Sequence, residues 1–311
     1  MTDLEVSRHA ELLIAELPSA DESSADGSSA GPDSVRPSPA LSPSRAGDFK
    51  QCPLLYRFRA IDRLPETRTR AQVRGTLVHA VLDRLFDEPA AGRDAAAADA
   101  LVAPAWEQLC ADDPDLLGQL FSGPDDPELA DWLASVGPLL QAYFSLEDPR
   151  RLAPAGRELL VETRLASGLV LRGYIDRLDA AEDGRLRVVD YKTGAAPRAV
   201  AETRALFQMK FYALVLLHER GVVPAELRLL YLADGEALTY HPDEAELRRF
   251  ERTLEAIWAA IRLAGRDGDF RPNPGWLCDF CDHRPRCPAW DGVPPPYPGW
   301  PGDNAADSPV S

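Results

Sequence analysis

Long apolar stretches are missing from this chain. No run approaches the ~18 uncharged apolar residues that a membrane-spanning helix needs, although 45% of the 311 residues are hydrophobic. The N-terminus has no basic segment leading into an apolar one, so a secretory signal is not expected. These absences predict a soluble, cytoplasmic protein without membrane attachment. No internal repeat is visible, which argues against solenoids and propellers. No G-x4-G-K-[ST] loop occurs, so the chain carries no helicase-like ATP site. Basic residues are few, 34 Lys and Arg against 50 Asp and Glu, for a formal net charge of −16. Cysteine is scarce as well, at five residues.

The shortage of bases is local. Residues 1–40 hold eight acids and two bases, and residues 87–131 hold twelve acids and one base. Between residues 41 and 86 the balance reverses to nine bases and four acids, among them Arg45, Lys50, Arg57, Arg59, Arg63, Arg68, Arg70 and Arg74. Affinity for a polyanion follows the local field rather than the sum. The basic stretch is therefore read either as a phosphate-contacting surface or as a set of partners for the acidic segments.

Composition divides the chain into a leader, a globular part and a tail. Residues 1–40, rich in Ser, Ala, Pro, Gly and acids, predict a disordered acidic leader. Residues 41–290 predict one globular domain. A helix is expected from about Ser44 to Phe58, and a second from about Arg74 to Phe86 with His79 at the border of its apolar stripe. The Ala-, Asp- and Pro-rich stretch 88–127 reads as an irregular helical insertion, followed by one helix over 128–145. Strands are expected at 158–165, 169–178, 186–191, 227–232 and 237–240, with helices over 201–219 and 243–264. That order predicts a compact α/β fold whose sheet starts antiparallel. The Pro- and Gly-rich residues 291–311 predict a disordered tail.

Two patterns carry chemistry. Gly173-Tyr-Ile-Asp-Arg-Leu-Asp179 and Val188-Val-Asp-Tyr-Lys-Thr-Gly194 flank a turn at 181–185 and read as a β-hairpin. Residues two apart on a strand share a face, so Asp190 and Lys192 project together and Asp176 sits across from them. Two carboxylates and an ammonium on one sheet face suit metal-assisted phosphodiester hydrolysis. The carboxylates hold a hard cation, and the lysine orients water or stabilises developing charge. The second pattern is Cys278-Asp-Phe-Cys281-Asp-His-Arg-Pro-Arg-Cys287, a C-x2-C-x5-C cluster that points to metal rather than to disulfides. Three thiolates leave a tetrahedral site one ligand short. Either His283 completes a zinc site locally, or Cys52 completes four thiolates suited to a 4Fe–4S cluster. Cys110 reads as an ordinary semi-buried thiol.

In this order the motifs resemble the RecB-type nucleases of the PD-(D/E)XK superfamily, in particular their small iron–sulfur members, the CRISPR-associated adaptation nucleases and AddB-type nuclease domains. The resemblance rests on Cys52 in FKQCPLLYRFR, His79 in RGTLVHAVLD, Asp176 in GYIDRLD, the DYK strand, Gln208 and Tyr212 in QMKFY, and the C-terminal cysteines. It implies a restriction-endonuclease-like core, a mixed central sheet flanked by helices, with N- and C-terminal segments joined by a metal cluster. It further implies that His79, Asp176, Asp190 and the Tyr191 carbonyl ligate Mg²⁺ or Mn²⁺, and that Lys192 activates water. Gln208 and Tyr212, four apart on one helix face, would bind DNA or support the site. Cys52, Cys278, Cys281 and Cys287 would hold the 4Fe–4S cluster.

The function expected from this is a metal-dependent DNA nuclease, an exonuclease acting on single strands or duplex ends in repair or recombination. Any motor would come from a helicase or recombination partner. The contrasting reading is a non-catalytic DNA-binding or assembly subunit of the same fold. It conflicts with the retention of neighbouring carboxylates that repel one another without a cation.

Overall fold

The computed structural model describes residues 40–196 and 202–300. Apart from Ala40, the expected leader lies outside these residues, as does the expected tail beyond residue 300. The described residues form two compact units where the sequence reads as one domain. The first comprises Thr67–Val161 and Tyr174–Glu244; the second comprises residues 40–66, 162–173 and 245–300.

In chain order the elements are β1 (Ala40–Leu41), α1 (Pro43–Gln51), α2 (Pro53–Tyr56), α3 (Arg70–Leu85), α4 (Ala95–Asp112), α5 (Leu116–Leu120), α6 (Pro127–Ala134), α7 (Gly137–Leu146), β2 (Pro154–Arg164), β3 (Val170–Ala180), β4 (Leu186–Lys192), α8 (Glu202–Arg220), β5 (Glu226–Tyr231), β6 (Glu236–Tyr240) and α9 (Glu244–Asp267). The sheet runs β1-β3-β4-β5-β6, with β2 also paired to β3. β3 and β4 are antiparallel, β4 and β5 parallel, and β5 and β6 antiparallel. The sheet is therefore mixed, and α8 supplies the crossover that a parallel β4–β5 pair requires.

In the first unit α3 begins four residues earlier than its apolar stripe suggests. Thr69 and Gln72 form a reciprocal capping box, which satisfies amide groups at the helix start that would otherwise lack partners. Val73, Leu77, Val81 and Leu85 then face the core. The stretch expected as an irregular insertion is regular and core-forming. Ala98, Ala105, Trp106, Leu116 and Leu120 are buried with α3, and the rings of Trp106, Phe121 and Trp132 meet edge to face at 5.2–6.3 Å. Its acids mask this pattern because most of them occupy the solvent side of the helices. The single helix expected over 128–145 is two helices, α6 and α7, with Pro138 in the first turn of the second.

In the second unit the helix expected through Phe58 breaks at Cys52-Pro53, since proline cannot donate a helical hydrogen bond, and α2 passes into a π-type turn at Arg57–Ile61. Residues 292–300 have no helix or strand, as expected of the tail, but they are packed. Tyr297 donates a hydrogen bond to the Gly265 carbonyl at 2.7 Å, and Trp300 lies flat on α9. A Cβ at Gly265 would come within 2.2 Å of that ring, so only glycine admits the contact.

Candidate active site

The β3–β4 register pairs Arg177 with Val189 and so brings Asp176 opposite Asp190. Asp190 is almost fully buried, and its Oδ2 lies 2.6 Å from the Lys192 Nζ. That ammonium also donates to the Gln208 Oε1 at 2.9 Å. The Gln208 Nε2 donates to the Asp190 Oδ1 at 2.9 Å and to the Tyr212 hydroxyl at 3.0 Å. One amide from α8 thereby fixes the carboxylate and the ammonium together. Between them on β4, Tyr191 contributes its backbone: its N–H donates to the Asp176 Oδ2 at 2.8 Å, and its carbonyl lies 2.9 Å from the His79 Nε2. A carbonyl only accepts, so Nε2 is the donor. The other ring nitrogen, Nδ1, is 3.5 Å from the Asp176 Oδ2 and 4.0 Å from the Glu158 Oε1.

The structure thus brings together the residues that the sequence reading placed at one site: His79, Asp176, Asp190, Tyr191, Lys192, Gln208 and Tyr212. It adds Glu158, which sequence reasoning missed. Ligand atoms of His79, Glu158 and Asp176 lie within 4.8 Å of one another. Glu158 turns toward the cluster from a backbone with φ of 41°, a left-handed conformation uncommon for a residue with a Cβ. No residue-type pattern announces such a strand irregularity. Glu162, a second acid on this strand, instead pairs with Arg172 at 2.5 Å.

Crowded carboxylates raise one another. Burial first, and then the charge of Asp190, hold the Asp176 carboxyl well above the usual range, against the lowering effects of the Tyr191 N–H and Lys192. Desolvation and Asp176 push Glu158 up to about 7, although its side chain is 46% exposed. A bound cation would relieve this repulsion. An imidazole and two carboxylates whose ligand atoms lie within 4.8 Å of one another are a donor set that a hard divalent ion accepts, so His79, Glu158 and Asp176 fit a divalent metal.

Tyr191 is anchored from the opposite side of its strand. Its hydroxyl accepts from the Arg177 Nη1 at 2.8 Å. Arg177, 1% exposed, also reaches Asp179 at 2.9 Å and Glu147 at 2.8 Å. Nearer the surface, Gly75 on α3 lets the helix approach the chain after β4: a Cβ there would stand 3.2 Å from the Thr193 Oγ1.

The sequence profile of the PD-(D/E)XK nuclease superfamily matches residues 40–288, a span that holds the whole constellation on a mixed sheet flanked by helices. The chain belongs to the PD-(D/E)XK nuclease superfamily. Within that superfamily it resembles the Gene 69 protein of Mycobacterium phage D29, at 27% identity over 277 residues, covering 81% of this chain and 97% of the phage protein. Its fold is similar to the crystal structure of a putative exonuclease from Eubacterium rectale, with a TM-score of 0.51 and 14% identity over 88% of this chain and 91% of the other.

The second unit of this superfamily member holds the other predicted set. Cys52, Cys278, Cys281 and Cys287 all line one cavity of about 220 Å³. Backbone N–H groups of Asn273 and Gly275 donate to the Cys52 and Cys278 sulfurs at 3.4 Å. His283, the local alternative ligand, also lines the cavity, but its Nε2 lies 2.9 Å from the Glu66 Oε1. The basic stretch is largely committed within the protein. Arg57 pairs with Asp62, Arg59 with Asp48 and Glu66, Arg68 with Asp113, and Arg70 with Glu128. No helix among the described residues is long and apolar enough to cross a membrane.

Proposed function

We propose that this protein is a RecB-type, divalent-metal-dependent deoxyribonuclease that works as an exonuclease on single strands or duplex ends in repair or recombination. The observation that carries the reading is the grouping of His79, Glu158 and Asp176 with ligand atoms within 4.8 Å of one another, beside Asp190 and an ammonium held in place by Gln208. The similarity to a putative exonuclease is consistent with it. His79, Asp176, Asp190 and the Tyr191 carbonyl would hold the ion, with Glu158 close by. When bound, Mg²⁺ or Mn²⁺ supplies Lewis-acid polarisation of a phosphoryl oxygen and acidification of water.

The remaining chemistry belongs to the chain. Lys192 orients the attacking water and offers positive charge to the phosphorane-like transition state. Asp190 and Gln208 prevent that ammonium from swinging away, and Tyr212 fixes the amide plane of Gln208. Mn²⁺-dependent cleavage of end-labelled single-stranded DNA by anaerobically purified protein, run beside Asp190→Ala, tests the proposal. Cleavage by the wild type alone supports it, and the product ladder gives the polarity. DNA binding without cleavage by either protein would favour the non-catalytic subunit.

We further propose that the four cysteines hold a 4Fe–4S cluster with a structural role. The shared cavity supports this, as does the way Cys278 and Cys52 raise the Cys281 thiol after burial has done so, a repulsion that cluster iron would remove. Cys52→Ser should abolish broad visible absorbance and bound sulfide; a zinc site made by Cys278, Cys281, His283 and Cys287 would survive it.

A further inference from the structure

The β2–β3 hairpin carries an apolar step on an otherwise charged face. Its end is closed by the Leu165 N–H donating to the Leu169 carbonyl at 2.9 Å. Counting back from that pair in antiparallel register sets Glu162 opposite Arg172, which agrees with their ion pair. It sets Leu160 opposite Tyr174 and Glu158 opposite Asp176. Alternation puts these side chains on one face, while Leu159, Val161 and Ile175 are buried on the other. Along both strands the neighbours on the open face are Glu158, Glu162, Arg172 and Asp176, all charged. Leu160 and Tyr174 interrupt them, 40% and 56% exposed.

Isolated exposed apolar residues are ordinary. This pair is distinguished by its position, one two-residue step, about 6.6 Å of strand, from the Asp176 carboxylate. We propose that Tyr174 and Leu160 form a stacking step that seats one nucleobase of a single-stranded DNA next to the phosphodiester presented to Asp176 and Asp190. This rests on the nuclease reading and adds to it a substrate-positioning residue. A nucleobase is flat and uncharged, so it is what an apolar step between charged positions accepts, while its phosphate carries the charge toward the ion site. Base–aromatic stacking tolerates any sequence because every base has a π-face. Paired bases inside a duplex do not offer that face, so the step selects single strands and frayed ends.

The test uses the full-length protein with fluorescein-labelled oligothymidylate. Binding is followed by anisotropy in Ca²⁺ and cleavage in Mn²⁺, with thermal unfolding as a control for folding. Tyr174→Ala should weaken single-strand binding by about 5- to 100-fold, Tyr174→Phe should remain close to wild type, and duplex binding should be unchanged. Wild-type protein should also lose affinity for an oligonucleotide with an abasic residue at the cleaved step, and Tyr174→Ala should not distinguish the two. Equal binding and cleavage by Tyr174→Ala and wild type would overturn the inference, as would an equal loss in Tyr174→Phe or a wild type indifferent to the abasic residue. A wild type with no affinity for single-stranded DNA would overturn it too. Failure of the nuclease reading looks different: binding and base discrimination intact, with no cleavage.

Discussion

In the proposed mechanism Lys192 is the residue that acts on charge, and its surroundings show what its loss should do. Asp190 and Gln208 hold the ammonium from two sides, so Lys192→Ala removes transition-state stabilisation without removing an ion ligand. Expected is a fall in kcat of about 10²- to 10³-fold, with Mn²⁺ binding by electron paramagnetic resonance preserved. Glu158→Gln should do the reverse, weakening Mn²⁺ binding about tenfold, while Glu162→Gln leaves the same titration unchanged. Asp176, Asp190 and Lys192 were legible because a strand has a strict two-residue alternation, which fixes faces from sequence alone. Glu158 was not legible, because alternation gives it the same face as Glu162 and nothing in the residue pattern separates the two.

At the scale of elements, the active-site strands are fixed by groups the chemistry never touches. Arg177 neighbours Asp176, yet it points into the core and is held by Tyr191, Asp179 and Glu147. Arg177→Met would remove the fully buried cation between Glu147 and Asp179, leaving them only Arg228 and Arg187 nearer the surface, at a cost of up to about 3–5 kcal/mol in urea unfolding. Thr69→Ala, which removes the α3 capping box, should cost about 1 kcal/mol in the same assay. Neither device was read from the sequence. The arginine followed an alternating pattern that says nothing of which face is buried, and the cap lay outside the apolar stripe used to find the helix. The acidic insertion was misread for a related reason: its few buried residues, Trp106 above all, are diluted by solvent-side acids.

For the whole molecule, the mixed sheet was implied by the family resemblance alone, while the α/β order was legible because helix and strand periodicities differ. The division into two units was not, since it cuts the continuous β2–β3 hairpin. The acidic net charge was likewise a poor guide, because many arginines of the basic stretch answer acids within the protein. Cys52→Ser should accelerate amide hydrogen exchange in residues 40–66 and 268–300 and spare α3 and β4, as measured by mass spectrometry. The second unit also imposes a timetable. Asn273 meets Cys52 across 221 residues of chain, so at 5–20 residues per second the first half of that unit waits about 10–45 s on the ribosome for its partner. Until then the Cys52 segment is an exposed thiol-bearing helix pair that a chaperone can reach, and a chain stalled before residue 273 never closes it.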